Sequence, residues 1–309
     1  MRQRRPLRPP SCLHAQAVRR FAIAAAAAVA AAATSALPAG GAFFSFLPST
    51  RHSVAEVKGC REASTAGEAA DVLADPEVLV CFLHRGDEGA ELHRQWCAHL
   101  SEVPTFDIYS RTLGADVGPG LADLLPLDLQ EGGPSAHLGQ LTLQEAQSLA
   151  TAFREAAAAD RCSHHAHADA ALRVRLACID HVQCSRLHWD DVPLRAVSIL
   201  AGAGTEVLPE SRADRGGLAR LEALPLDSQG AMTSEEWNRH FVADGNGSPD
   251  EAMIQFPSGW AALMKGSSWG ACDAENSNSQ ASPGALHRSP KRATKRVLLQ
   301  VDFADFVEN

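Results

Sequence analysis

The chain has 309 residues, with 28 basic against 37 acidic side chains, a formal charge of −9 and 45% hydrophobic content. That length admits a presequence plus one large domain or two small ones, and the hydrophobic content indicates a soluble globular core. The acidic balance speaks against a nucleic-acid partner, which needs a basic face for phosphates. Eight cysteines without one Cys-x-x-Cys pair give no zinc ribbon or thioredoxin-type site, and free thiols are expected.

Residues 1–55 stand apart, with seven arginines and no carboxylate before Glu56. A basic leader precedes the alanine-rich run Phe21 to Ala33, which as a helix is only about 20 Å long, short of a bilayer span. It fits a signal-peptide core, and Gly40 and Ala42 make a small-x-small cleavage pattern before Phe43. An acid-free stretch with serine, threonine and arginine follows. The whole resembles the bipartite plastid presequences of algae with complex plastids, so plastid localisation is the expectation, with mitochondrion or secretory pathway as alternatives. No stable membrane span is expected in the mature protein.

The folded part is expected from residue 63, as a single catalytic-type domain over 63–309. Thr65-x-x-Glu68 reads as a capping box before a helix that Pro76 stops. Val78 to Leu83 reads as a strand, and Leu92, Trp96, Leu100 and Val103 recur at helical spacing. Glycine and proline between Asp116 and Pro134 mark loops around a short Leu121 to Leu125 helix. Thr142-x-x-Glu145 reads as the cap of a further helix. Residues 63–160 are therefore expected to be mainly helical.

Beyond them the period becomes two. Ala171 to Ile179, Leu194 to Leu200, Thr205 to Leu208, Met253 to Phe256, Trp260 to Met264 and Val297 to Phe303 read as short strands separated by turns. Many short strands with little helix between them predict a sandwich or jelly roll over 171–303. The fold class expected is α+β: a double-stranded β-helix core with an N-terminal helical layer.

His188 and Asp190 stand two apart before the Leu194 run, a spacing that puts both on one face of an extended chain. His287 also stands before a strand and supplies a third ligand. Two histidines and one carboxylate form the facial triad of non-haem Fe(II) oxygenases, and the same set suits Zn(II). Arg296, nine residues after His287, is placed to pair bidentately with the distal carboxylate of a dicarboxylate; Arg288 and Arg195 are the next anion-binding candidates. Asp191 and Glu206 are the only evident general bases for a zinc hydrolase. The tract Cys162 to His167 reads as an inert insert, and Asp244 to Ser248 lacks the glycine and glutamate of a calcium loop.

Cys184-x-x-x-His188-x-Asp190-x-Val192-x-x-Arg195, Gly202-x-Gly204-Thr205-Glu206-x-Leu208-Pro209, Met264-Lys265-Gly266, His287-Arg288-Ser289-Pro290 and Arg296-Val297-Leu298-Leu299-x-Val301-Asp302-Phe303 together resemble the family of domain of unknown function 1826. More distantly, the order His-x-Asp, His, Arg is similar to 2-oxoglutarate-dependent dioxygenases. That likeness implies iron held by His188, Asp190 and His287, 2-oxoglutarate anchored on Arg296, and hydroxylation of a small molecule or protein side chain. The chain departs from it at Leu298, where many members carry serine or threonine. A zinc-binding protein of metal homeostasis is the competing expectation.

Overall fold

The computed structural model describes residues 57–112, 116–160, 170–243, 247–270 and 282–306. The presequence, the Cys162 to His167 tract and most of the calcium-loop-like segment lie outside the described residues. Within them, Cys60, Cys81, Cys97, Cys178 and Cys184 are free thiols.

Seven strands form the larger sheet: β1 (Cys60–Ala63), β2 (Val80–Leu83), β3 (Phe106–Thr112), β4 (Leu172–Ile179), β5 (Leu194–Ala201), β8 (Ala261–Lys265) and β10 (Arg296–Phe303), in the spatial order β1-β2-β8-β5-β10-β4-β3. Only β1 and β2 pair in parallel; every other neighbour is antiparallel. The smaller sheet is β7 (Ile254–Gln255), β6 (Glu206–Val207) and β9 (His287–Arg288), in that order.

Alternation on the central strands builds two cores. Leu176, Leu194, Leu263, Leu299 and Phe303 pack with Leu149 and Phe153 of one helix. Ala177, Val197, Ile199, Ala262 and Leu298 face the other way, against Val207, Phe256 and Ala285 of the smaller sheet and its flanks. Two sheets thus share one apolar layer, and helices cover the other side of the larger sheet. This is a mixed α+β architecture of jelly-roll type.

The helices are α1 (Ala66–Ala74), α2 (Gly86–His99), α3 (Gly118–Ala122) and α4 (Ala136–Ala158), with four short ones between β6 and β7. Thr65 caps α1 by accepting from the Glu68 amide, and α2 buries Leu92 and Trp96. Three expectations need correction. Residues 60–112 do not form a helical layer beside a separate β-core, because they supply β1, β2 and β3, including both edges of the larger sheet. β1 is only four residues long, and β3 alternates in burial but sets Ser110 on its inward face and Tyr109 on its outward one, so its hydrophobicity does not alternate. Thr142 is no cap: α4 starts at Ala136, Thr142 donates to the Leu138 carbonyl at 2.8 Å and accepts from Trp96 Nε1 at 3.0 Å, and Glu145 pairs with Arg85 at 2.8 Å. Finally, the described residues between β6 and β7 hold four short helices, Gly217–Glu222, Leu226–Ala231, Ser234–Arg239 and Pro249–Ala252, the last two started by capping boxes at Thr233 and Ser248.

Two motif glycines allow neighbouring segments to close on one another. Gly202, at φ +82°, would place a Cβ 2.5 Å from the Lys295 carbonyl and 2.7 Å from Arg296 Cβ. A Cβ on Gly266 would lie 1.9 Å from the Val192 carbonyl oxygen, so only glycine lets β8 close against the loop that carries Asp190.

Candidate metal centre

His188 and His287 are joined through their backbones. The His188 amide donates to the His287 carbonyl at 3.1 Å and the His287 amide to the His188 carbonyl at 2.8 Å. Residues paired in this way project their side chains on the same side, and the two rings lie 4.4 Å apart. Asp190, two residues on, completes the group. One ligand atom from each of the three lies within 4.8 Å of the others.

The partners of the two rings fix their proton positions. His188 Nδ1 stands 2.9 Å from the Arg186 carbonyl and His287 Nδ1 stands 3.0 Å from the Ala285 carbonyl. A carbonyl only accepts, so each Nδ1 carries the hydrogen, which leaves Nε2 as the atom each ring turns toward a cation. His287 Nε2 lies 3.3 Å from Asp190 Oδ2, and His188 Nε2 lies 4.0 Å from Asp190 Oδ1. Burial pushes the His287 imidazole down to about 4, against the pull of Asp190, so this ring is neutral near pH 7. Burial pushes the Asp190 carboxyl up, but Arg195 and the two histidines outweigh it and hold it below its ordinary value. An ionised carboxylate, a neutral His287 ring and the Nε2 of His188 therefore converge, a donor set that a cation completes. Donors bound to one ion at about 2.0–2.2 Å sit roughly 3 Å apart when adjacent, close to the 3.3 Å between His287 and Asp190, while His188 stands farther off.

Arg195 locks the carboxylate. Its Nη1 meets Asp190 Oδ1 at 2.5 Å, while Nε and Nη2 reach Asp302 Oδ1 and Oδ2 at 2.7 and 3.2 Å. Gln300 Nε2 donates to Asp302 Oδ2 at 2.6 Å. The guanidinium is raised above its ordinary value: burial acts against its charge, and the two carboxylates overcome that. A carboxylate–arginine–carboxylate row, buried at Asp302 and partly exposed at Arg195 and Asp190, thus orients Asp190, as outer partners commonly orient metal ligands.

The other arginines differ. Arg288 is already matched, by Glu206 and Asp250 at 2.7 Å each. Arg296 is only 3% exposed, yet among the described residues its one side-chain bond runs from Nη2 to Ser289 Oγ at 3.2 Å, and its buried Nη1 has no partner there. Burial, reinforced by Arg175, brings this guanidinium down to about 10. Ser289 Oγ also accepts from the Cys184 amide at 3.2 Å, and Cys184 Sγ lies 3.5 Å from His188 Nδ1. These contacts connect Arg296 to the metal ligands. Sequence reasoning missed Asp302, Ser289 and Cys184 as supports. The signal for Asp302 was its place on the Arg296 face of β10, and that for Cys184 was its position four residues before His188.

Two facing sheets and an electron-pair cluster at the start of β9 define a jelly-roll protein with a candidate mononuclear metal centre. The chain belongs to the family described as protein of unknown function (DUF1826), whose pattern matches residues 71–302. No curated protein matches it in sequence. Among solved structures it is similar to the dioxygenase for auxin oxidation from rice, at 10% identity and a TM-score of 0.41, over 77% of this chain and 78% of that one. It is also similar to dioxygenase for auxin oxidation 1 from Arabidopsis thaliana in its 2-oxoglutarate complex, at 10% identity and a TM-score of 0.42, over 79% and 91%. Among the described residues no helix is long and apolar enough to cross a membrane.

Proposed function

We propose that the chain is a non-haem Fe(II), 2-oxoglutarate-dependent oxygenase, with His188, Asp190 and His287 holding the metal and Arg296 receiving the distal carboxylate of the co-substrate. The observation that carries the reading is the pairing of a three-sided donor set with a buried, charge-unmatched arginine reached through Ser289 and Cys184. When bound, Fe(II) and 2-oxoglutarate supply activation of dioxygen coupled to oxidative decarboxylation, chemistry able to hydroxylate an unreactive C–H bond.

The residues of the chain hold and orient. The Nδ1–carbonyl bonds fix both rings with Nε2 inward, and Arg195 fixes Asp190. Arg296 offers a preorganised, largely dehydrated fork, where a carboxylate gains more than it would in water. Leu298 leaves that fork without the hydroxyl that often stands two residues on, and the Ser289 hydroxyl, 3.2 Å from Arg296 Nη2, takes that place. Zn(II) would accept the same three donors. A zinc hydrolase would also need a free base, but Glu206 is bound to Arg288 and Asp191 accepts from Ser267 Oγ at 3.0 Å. Neither use explains Arg296.

The test is anaerobic metal analysis of the full chain beside His188→Ala, followed by 2-oxoglutarate titration of the Fe(II) form. We expect one metal per chain, lost in the variant, and a visible charge-transfer band that appears with 2-oxoglutarate and disappears in Arg296→Met. Tight zinc with no response to 2-oxoglutarate would overturn the oxygenase reading.

A further inference from the structure

Five arginines occupy the face of the larger sheet that looks toward the metal ligands: Arg111 on β3, opposite Arg173, then Arg173 and Arg175 on β4, Arg195 on β5 and Arg296 on β10. The register sets them in rows, with Arg173 opposite Asp302 and Arg175 opposite Gln300. Paired residues share a face. Arg195 joins the Asp302 row from the other side through its bonds to that carboxylate. Arg173 therefore stands two strand spacings, roughly 10 Å, from the arginine that holds a metal ligand.

Charge matching separates the five. Arg111 meets Asp305 at 3.1 Å. Arg175 meets both Asp107 oxygens at 2.8 Å, and Arg195 meets Asp190 and Asp302. Arg296 is assigned to the co-substrate. Arg173 forms no ion pair among the described residues; its guanidinium carbon lies 4.1 Å from the centroid of the Tyr109 ring. Stacking uses the flat face of a guanidinium and leaves its edge of N–H donors available. Tyr109 is 42% exposed, so this corner of the sheet is open to solvent. The nearby acids, Asp107 and Asp302, are already matched, so the spare charge is a single positive one. It suits a carboxylate, whereas a dianionic phosphate would bring a second charge with no partner.

We propose that Arg173, backed by Tyr109, binds the carboxylate of the substrate, so that the molecule oxidised at the metal site is a small organic acid. The role of that acid as substrate rests on the oxygenase reading; its binding does not. Tyr109 is the only tyrosine of the chain, so full-length protein made with fluorotyrosine carries one fluorine probe at the site.

The experiment is a fluorine NMR titration of the metal-free chain with benzoate, with benzamide as the neutral isostere. Benzoate is expected to shift the single resonance saturably and benzamide to leave it in place. Arg173→Met should weaken the benzoate response roughly tenfold or more, the loss of a hydrogen bond to a charged group. Arg296→Met should keep it. Equal responses to acid and amide, or undiminished benzoate affinity in Arg173→Met, would overturn the proposal, and the amide comparison needs no variant to fold. The two readings fail separately. A charge-transfer band without a fluorine response sinks the acid site alone, and a fluorine response without the band sinks the oxygenase reading while the acid site stands.

Discussion

Along β10, Val297, Leu299, Val301 and Phe303 face α4 and the apolar core, whereas Arg296, Leu298, Gln300 and Asp302 face the smaller sheet and the candidate metal centre. The first set is held by packing alone, with the Phe303 ring 4.8 Å from Phe153. The second holds two buried charges six residues apart in opposite states: Asp302 has three bonds, while Arg296 has one and an idle nitrogen. The difference teaches that one strand can carry fold on one side and chemistry on the other. Burial on the apolar side is complete, and burial on the charged side stops one partner short. An unmatched cation in such a place costs free energy unless something completes it.

The comparison can be broken from either side. The largest effect is expected on the apolar face, where Leu299→Ala should cost about 2–5 kcal/mol of stability for a large-to-small change in a packed core. Denaturant unfolding would measure that cost. Metal content per folded chain should stay at the wild-type value, and a loss of metal in proportion would mean that the faces are not independent.

Next comes the charged face. Arg195→Lys keeps the charge but removes the fork that spans Asp190 and Asp302, so metal affinity should fall roughly 10–100-fold, as for other outer partners of ligands. Competition with a chelator reads this directly, and unchanged affinity would show that Asp190 needs no orienting partner.

The smallest effect tests an exception. Lys265, paired with Leu194 in β8, buries an ammonium on the helix side. It donates to the Asp75 carbonyl at the end of α1 at 2.8 Å and lies 5.1 Å from the Trp269 ring centroid. Burial pushes its pKa from 10.5 down to about 8. Between those values the unfolded chain binds more protons than the native one, so wild-type stability should rise with pH relative to Lys265→Met. The gain should be about 1–3 kcal/mol across that window, and the difference should be flat below about pH 8. Unfolding of both proteins over roughly pH 7.5 to 10, a range that brackets most of the shift, would check the sign.

Much of the sheet was legible because its signal is local. The alternation of β4 and β10 follows from a two-residue period, and β5 reads as a mostly apolar run, broken by Arg195 and Ser198 and bounded by turns. The edge strands β1 and β3 were not legible, since β1 is four residues long and β3 buries Ser110 and exposes Tyr109, so hydrophobicity does not follow its alternating burial. The short helices between β6 and β7 escaped because each is too brief for a 3.6-residue period to show.

The site divides in the same way. His188-x-Asp190 and the strand-leading position of His287 could be read directly, because i and i+2 on an extended chain share a side wherever that chain goes. The sequence by itself determined that these residue types exist at strand starts, and that an arginine opens the last strand. Only the tertiary structure decided which cation meets which acid. Arg195 and Asp302 are 107 positions apart and Arg288 and Glu206 are 82 apart. Those pairings depend on the register of strands brought together from across the chain. Among the described residues the same register leaves Arg296 and Arg173 without an acidic partner, because charge pairing is settled by distance in space, to which a local pattern is blind.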